Sequence, residues 1–325
     1  MLKPVQSGMI IITVFLCTLT WFSVKKILSL LLWIEDHLDR KLNTADIAQV
    51  AGCSERHLYS LFYQITGKSL ADYIRCRKLT LAAYMLRCSG RQITEIAIMY
   101  GFGTLQAFSR AFRCYFGFSP REYRHASQWD MKFYTPSALL TSPLPFSFSI
   151  EYISNAAIHC EKRDVTRVAF GFNFLLLTEN NRITTVNELY DHYIKIFFGE
   201  SSLTSVLTVS GEMVTRTSNC DAEIHIITGH LRYNEPVTKD AISVPAGHYA
   251  CFTSEGSYQD IMRFMAWTGG HGLHQYQCVL KRGPTFTSFS PGRLPKTCQV
   301  RHYFPVVNED ISFHAFLKRP GLLAV

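Results

Sequence analysis

The sequence predicts a multidomain chain in which an all-α double helix-turn-helix domain precedes an α+β domain made of two strand-helix-strand repeats. Three observations lead there. A pattern occurs twice: Ile47-Ala48-x-x-x-Gly52, Leu58-x-x-x-Phe62, Thr66-Gly67-x-Ser69 and Tyr73 return as Ile96-Ala97-x-x-x-Gly101, Phe108-x-x-x-Phe112, Phe116-Gly117-x-Ser119 and Tyr123. The offset is 49 residues at the start and 50 from the aromatic anchors onward, so one residue is inserted at the turn. Charge is concentrated on this repeat. Residues 25–130 hold 15 Lys and Arg against 9 Asp and Glu, which accounts for +6 of the chain's net +8, while residues 131–325 contribute about +1. Beyond residue 160 helical periodicity gives way to short alternating runs. The expected organisation is therefore an apolar extension at 1–24, the helix-turn-helix domain at 25–130, a linker or edge segment at 131–160, the α+β domain at 161–310 and a tail at 311–325.

The apolar run Met9–Phe22, flanked by Lys3 and Lys25-Lys26, is short for a membrane-spanning helix and lacks a small-x-small cleavage pattern. A membrane tether through residues 9–24 and a translation start at Val24 both remain open. The second is favoured, because the amphipathic helix Ile27–Leu38 begins directly after it. In the first unit Asn43 or Thr44 can cap a helix with Ile47, Val50 and Ala51 on one face. Gly52 turns, and Ser54 caps a helix over about Glu55–Ile65 that buries Leu58, Leu61, Phe62 and Ile65. Ser69–Leu86 reads as one long helix that fixes the separation of the units. In the second, Ile93, Ile96, Ala97 and Tyr100 support, Gly101-Phe102-Gly103 turns, Thr104 caps, and Phe108, Ala111, Phe112 and Tyr115 or Phe116 point inward.

A helix-turn-helix unit commonly places its second helix in the DNA major groove, so the outward residues of those helices are the candidate contacts to double-stranded DNA. They are Arg56, Tyr59 and Ser60 in the first unit, and Thr104, Leu105, Gln106, Ser109, Arg110 and Arg113 in the second. Arg suits guanine edges, Gln suits adenine, and hydroxyls suit phosphates. A solvated helix face is the alternative reading of the same residues.

Further on, Arg167–Leu177 alternates like a strand, Val186–Phe198 like a helix and Ala222–Thr228 like a strand. Ala241–Thr253, Tyr258–Trp267 and Gln299–Val306 then repeat strand, helix, strand. Ten cysteines are scattered without a CxxC, as suits reduced thiols. His271, His274 and Cys278 lack a fourth partner, so neither a metal nor a cofactor is expected, and no catalytic set stands out.

On these motifs residues 27–124 resemble the DNA-binding domain of the AraC/XylS transcription regulators, in particular the MarA/SoxS/Rob branch. The string Ile96-Ala97, Gly101-Phe102, Phe108-Ser109-Arg110-Ala111-Phe112, Gly117-Phe118-Ser119-Pro120, Tyr123-Arg124 carries that resemblance. It implies a cytoplasmic, nucleoid-associated activator that binds promoter DNA as a monomer and works with RNA polymerase. Where that branch presents Trp, Gln and Arg on the first reading helix, this chain has Arg56, Tyr59 and Ser60, which implies an altered target sequence.

Val244–Ala250, Gly283-Pro284 and Tyr303–Val306 are similar to the GyrI-like effector-binding domain of the Rob type. That resemblance implies an aromatic cleft for a small hydrophobic effector, with Tyr249, Phe252, Trp267, Phe286, Thr287 and Phe289 as the candidate lining. Thr287 stands where related chains carry an acid, which weakens both cation binding and the hydrolase activity of some relatives. Ordinary packing of the sheet is the alternative for those six, and a small-molecule enzyme or a membrane-tethered regulator is the rival for the chain.

Overall fold

Helix α1 (residues 25–35) buries Ile27, Leu30, Leu31 and Ile34 at the three-and-four spacing of an amphipathic helix. The computed structural model describes residues 25–138, 144–172, 175–178, 183–185, 205–217, 220–235 and 241–307. The run Met9–Phe22, the expected helix Val186–Phe198 and the tail 311–325 lie outside the described residues. Among the described residues no helix is long and apolar enough to cross a membrane.

Six more helices follow: α2 (Thr44–Val50), α3 (Glu55–Thr66), α4 (Leu70–Cys88), α5 (Ile93–Met99), α6 (Leu105–Phe116) and α7 (Pro120–His125). Their starts are written in the sequence. Asn43 accepts from Ala45 N, Ser54 from His57 N, Ser69 from Asp72 N and Thr104 from Ala107 N, each satisfying a backbone donor that the helix leaves without a partner. Glu95 and Glu122 fold back onto the backbone N–H of Gln92 and Ser119. The two short turns use Gly52 at φ 59° and Gly101 at φ 72°, and the reading helices end on Gly67 at φ 69° and Gly117 at φ 80°.

Helix α4 is buried on nearly every side, from Leu70 and Tyr73 to Met85 and Leu86. Two of its cationic residues are matched inside. The Arg77 guanidinium donates to both oxygens of Glu35 on α1 at 2.8 and 2.6 Å and to the Thr135 carbonyl at 2.8 Å. Lys78 donates to the Arg40 carbonyl, and its burial lowers the ammonium pKa to about 8.

The second half forms strands: β1 (Gln128–Asp130), β2 (Phe146–Ile153), β3 (Ala156–Phe170), β4 (Leu175–Thr178), β5 (Ile183–Thr185), β6 (Ser205–Thr217), β7 (Cys220–Tyr233), β8 (Ala241–Val244), β9 (Gly247–Gly256), β10 (Val279–Lys281), β11 (Phe286–Pro291) and β12 (Cys298–Pro305). Helix α8 (Tyr258–Trp267) and a π-helical turn at Thr268–Gly272 interrupt them after β9. One ten-stranded sheet runs in the order β2-β9-β12-β11-β6-β7-β3-β4-β5, with β8 also on β3, and β1 pairs with β10 alone. All of these pairs are antiparallel.

Two expected strands are corrected. Arg167–Leu177 is not one strand but the hairpin of β3 and β4, since the chain turns at Gly171-Phe172 and pairs Val168 with Thr178. Ala241–Thr253 divides into β8 and β9 at Pro245, which has no N–H to donate to a ladder. Ala222–Thr228 lies inside β7, and Gln299–Val306 overlaps β12. Within the expected linker, residues 131–138 lie along α4, with Thr135 N donating to Thr80 Oγ1 at 2.9 Å, and β2 is an edge strand of the sheet.

The helices and one face of the sheet share a single hydrophobic core, reaching from Ile27 and Phe112 to Ile224, Phe252 and Phe304. A second cluster around Ile158, Tyr249, Phe286 and Tyr303 fills the opposite face. Polar contacts close the seam between the halves. Gly90 N donates to the Asp221 carbonyl at 2.7 Å, Tyr100 Oη to the Phe172 carbonyl at 3.0 Å, Met131 N to the Cys278 carbonyl at 2.9 Å and Arg282 Nε to the Ala126 carbonyl at 3.2 Å.

The matched turn glycines differ in surroundings. A Cβ at Gly52 meets nothing within 4 Å, whereas one at Gly101 meets the backbone of Arg40 at 3.0 Å and of Lys41 at 3.2 Å. Gly52→Ala should therefore cost about 1–2 kcal/mol, the left-handed penalty alone, and Gly101→Ala measurably more, both read from urea unfolding. His302 gives a pH prediction. Thr268 donates to the Met265 carbonyl and so accepts from His302 Nδ1 at 2.8 Å, which leaves Nε2 a buried atom without a partner. Protonation there would bury a charge, and desolvation lowers the pKa to about 3. Below pH 6.5 the unfolded chain takes up a proton that the folded one refuses, so this contribution is complete above pH 6.5 and is lost as pH falls toward 3. A slope of up to about 1.4 kcal/mol per pH unit is expected from this group, and His302→Phe should remove it from the urea midpoint measured against pH.

Candidate nucleic-acid interface

Helices α3 and α6 are twelve residues each, and both divide into a buried stripe and an exposed one. In α3 the stripe is Leu58, Leu61 and Phe62, and the Phe62 ring stands edge-on to Tyr73 at the start of α4, with centroids 5.5 Å apart. In α6 it is Phe108, Phe112 and Phe116, a ladder with successive centroids 5.5 and 4.6 Å apart, closed by Tyr123 of α7 at 5.2 Å from Phe112. Aromatic stacking of this density fixes the rotation of α6 about its axis, and that decides which side chains face out.

On α3, Arg56, Tyr59 and Ser60 are exposed, and Tyr63 joins them one turn after Tyr59. Ser60 Oγ accepts from Gln64 Nε2 at 3.4 Å. On α6, Leu105, Gln106, Arg110 and Arg113 are exposed and Ser109 is half-buried, while Thr104 spends its hydroxyl oxygen on the cap. The nine expected contact residues thus gather on two helix faces, and both faces are free of Asp and Glu apart from Glu55 at the start of α3. An acid there stabilises the positive end of the helix dipole.

The two arginines of α6 differ. Among the described residues Arg110 makes no ion pair. Arg113 is tied to Glu122 of α7, at 2.9 and 3.2 Å. The Glu122 carboxylate also accepts from the Ser119 N–H while Ser119 Oγ accepts from the Glu122 N–H in the capping box, and the bonds to Ser119, with Arg113, hold the Glu122 pKa down at about 2. The Ser119-x-x-Glu122 spacing signals the box in the sequence, but nothing there signals the added arginine. Glu122→Gln should leave the fold intact through the retained box and free Arg113, so DNA affinity in a titration is expected to rise slightly, by about two- to fivefold, the scale of an exposed ion pair. An unchanged or reduced affinity would show that Arg113 plays no part in contact.

The five aromatic residues expected to line an effector pocket fall into two buried clusters. Tyr249, Phe252, Trp267, Phe286, Thr287 and Phe289 are all buried. Side chains alternate along β9 and β11. That sends Tyr249 and Phe286 into one cluster, with ring centroids 5.8 Å apart, and Phe252 and Phe289 into the core shared with the helices, where Trp267 of α8 joins them. Thr287 sits in register between His302 and Leu207 on that second face. Of the residues weighed as metal ligands, His274 Nδ1 lies 3.0 Å from the Met131 carbonyl and its ring centroid is 6.5 Å from that of His271. Among the described residues no group of three or more potential ligands gathers.

A family model described as a helix-turn-helix domain matches residues 47–126, the segment from α2 through α7. The regulatory protein SoxS of Escherichia coli is 43% identical over 101 residues, 31% of this chain and 94% of that protein. The transcriptional regulator Rob of Salmonella typhimurium is 42% identical over 101 residues, 31% of this chain and 35% of that one. The right origin-binding protein of Escherichia coli is 27% identical over 283 residues, 81% of this chain and 89% of that one, so that similarity runs through both halves.

Proposed function

Because the chain belongs to the AraC-type family of helix-turn-helix transcription regulators, we propose that it reads promoter DNA through both units, with α3 and α6 entering adjacent major-groove segments. The observation that carries this reading is the matched pair of capped helices, each with an exposed polar face, joined through α4. At 19 residues α4 is about 28 Å long, somewhat shorter than the roughly 34 Å of one turn of the double helix. Arg110 and Gln106 supply base contacts, Arg56 and Tyr59 set the preference of the first unit, and Ser60, Ser109, Thr104 and Arg113 serve the backbone. Leu105 offers an apolar contact to a thymine methyl.

The protein acts as a monomeric activator with RNA polymerase in the cytoplasm. The domain division at 25–130 and 161–310 and the GyrI-like character of the β half belong to the same proposal. Support for that character comes from Val244–Ala250, which spans the β8–β9 turn, and from Tyr303–Val306 at the end of β12. The burial of the six aromatic-cleft residues on two faces favours a stabilising role for this half over capture of a hydrophobic effector between them.

Selection of bound sites from random DNA followed by mobility shifts tests the reading. Arg110→Ala should weaken binding by about 1–3 kcal/mol and relax the preference at one position, with log affinity falling linearly against log salt for the parent. Binding that is weak, independent of salt and indifferent to sequence would refute it.

A further inference from the structure

The strongest feature that DNA reading leaves unused is the seam at Arg91. This residue lies in the turn between α4 and α5, 130 positions from its partner Asp221 at the start of β7, and both are buried. Arg91 Nε and Nη2 donate to Asp221 Oδ2 at 2.9 and 2.6 Å, and Nη2 also donates to the Phe170 carbonyl at the end of β3 at 2.8 Å. The other carboxylate oxygen accepts from Phe170 N at 3.3 Å, and the Asp221 carbonyl accepts from Gly90 N. Arg124 of α7 donates to the Arg91 carbonyl at 2.6 Å. The far end of α5 is held as well, because its last residues lead into Tyr100, whose hydroxyl donates to the Phe172 carbonyl.

Helix α5 is therefore fastened at both ends to the β3–β7 end of the sheet, and α6 follows it after a single glycine turn. A buried ion pair is a poor source of net stability but a strict geometric constraint, since its desolvated charges tolerate only the arrangement that pairs them. We propose that the Arg91–Asp221 clasp makes the β half a positioning element for DNA reading: it sets the orientation of the second unit relative to the first, and with it the spacing of the two half-sites that one chain accepts. Arg91 and Asp221 are positioning residues that touch no DNA. The proposal rests on the reading that both α3 and α6 engage DNA.

The experiment measures affinity of the full chain for a set of operators in which the two selected half-sites are moved apart or together by one and two base pairs. The parent should show a single preferred spacing. Replacing the pair by apolar residues, Arg91→Met with Asp221→Leu, avoids leaving a buried charge alone. It should lower affinity at the preferred spacing by about tenfold, within the usual range of coupling between sites, and flatten the profile. Tyr100→Phe, which removes only the hydroxyl bond at the far end of α5, should flatten it less and keeps the test available if the double variant does not fold. A lowered unfolding midpoint with an unchanged spacing profile in the folded variants would overturn the proposal, leaving the clasp merely structural. A parent that binds with no spacing preference would instead overturn the two-helix reading beneath it.

Discussion

The burial of α4 along most of its length is the constraint from which the remainder of the molecule follows. A helix enclosed on nearly every side has little room to roll or slide, so what packs on it acquires a fixed place. Phe62 of α3 meets it through Tyr73, α7 lies along it with Arg124 Nε donating to the Leu86 carbonyl, and residues 131–138 cover it through Thr135. Two charged groups that this enclosure would strand, Arg77 and Lys78, are resolved internally. Arg77 holds a bidentate bridge to Glu35 and Lys78 caps a carbonyl of the segment leaving α1. Removing one partner of such a bridge is costlier than never having had it, which makes α1 as much a part of the reading domain as the repeat itself.

From that fixed axis the chemistry of the two reading helices separates into scaffold and information. The phenylalanine ladder of α6 and the Leu58–Phe62 stripe of α3 are spent on the inside, and glycine at each C-terminus ends the helices at equal length. The residues left over differ between the units. Arg56, Tyr59, Ser60 and Tyr63 form an aromatic and hydroxylic face, whereas Gln106, Arg110 and Arg113 form a cationic and amide face, one arginine of which is restrained by Glu122. One docking geometry thus presents two unlike surfaces.

The repeat was legible in the sequence because its signals are local and chemical. A capping Ser or Thr, a left-handed glycine and aromatic residues four apart each act within one turn of chain; Ser54 and Thr104 cap as expected, Asn43 rather than Thr44 caps α2, and Ser69 caps α4 instead of opening it. The β half was legible only in its elements. Tyr258–Trp267 is a helix with the expected bounds, but the hairpin at Gly171 and the break at Pro245 divide runs that alternate smoothly enough to read as one strand. The placement of the expected pocket residues turns on parity, which their aromatic character does not signal: residues 249 and 252, or 286 and 289, are an odd number of positions apart and so face opposite sides of one sheet. The Arg91–Asp221 clasp had no local signal at all, since its meaning depends on a pairing across 130 residues.

In the proposed mode of binding, one chain places two helices on one face of DNA. Hydroxyl-radical footprinting of the full chain on a selected operator tests it most directly. Two protected windows centred about ten base pairs apart on the same face of the duplex, appearing together at one protein concentration, are the predicted result. A single window, or two that fill at different concentrations, would contradict it.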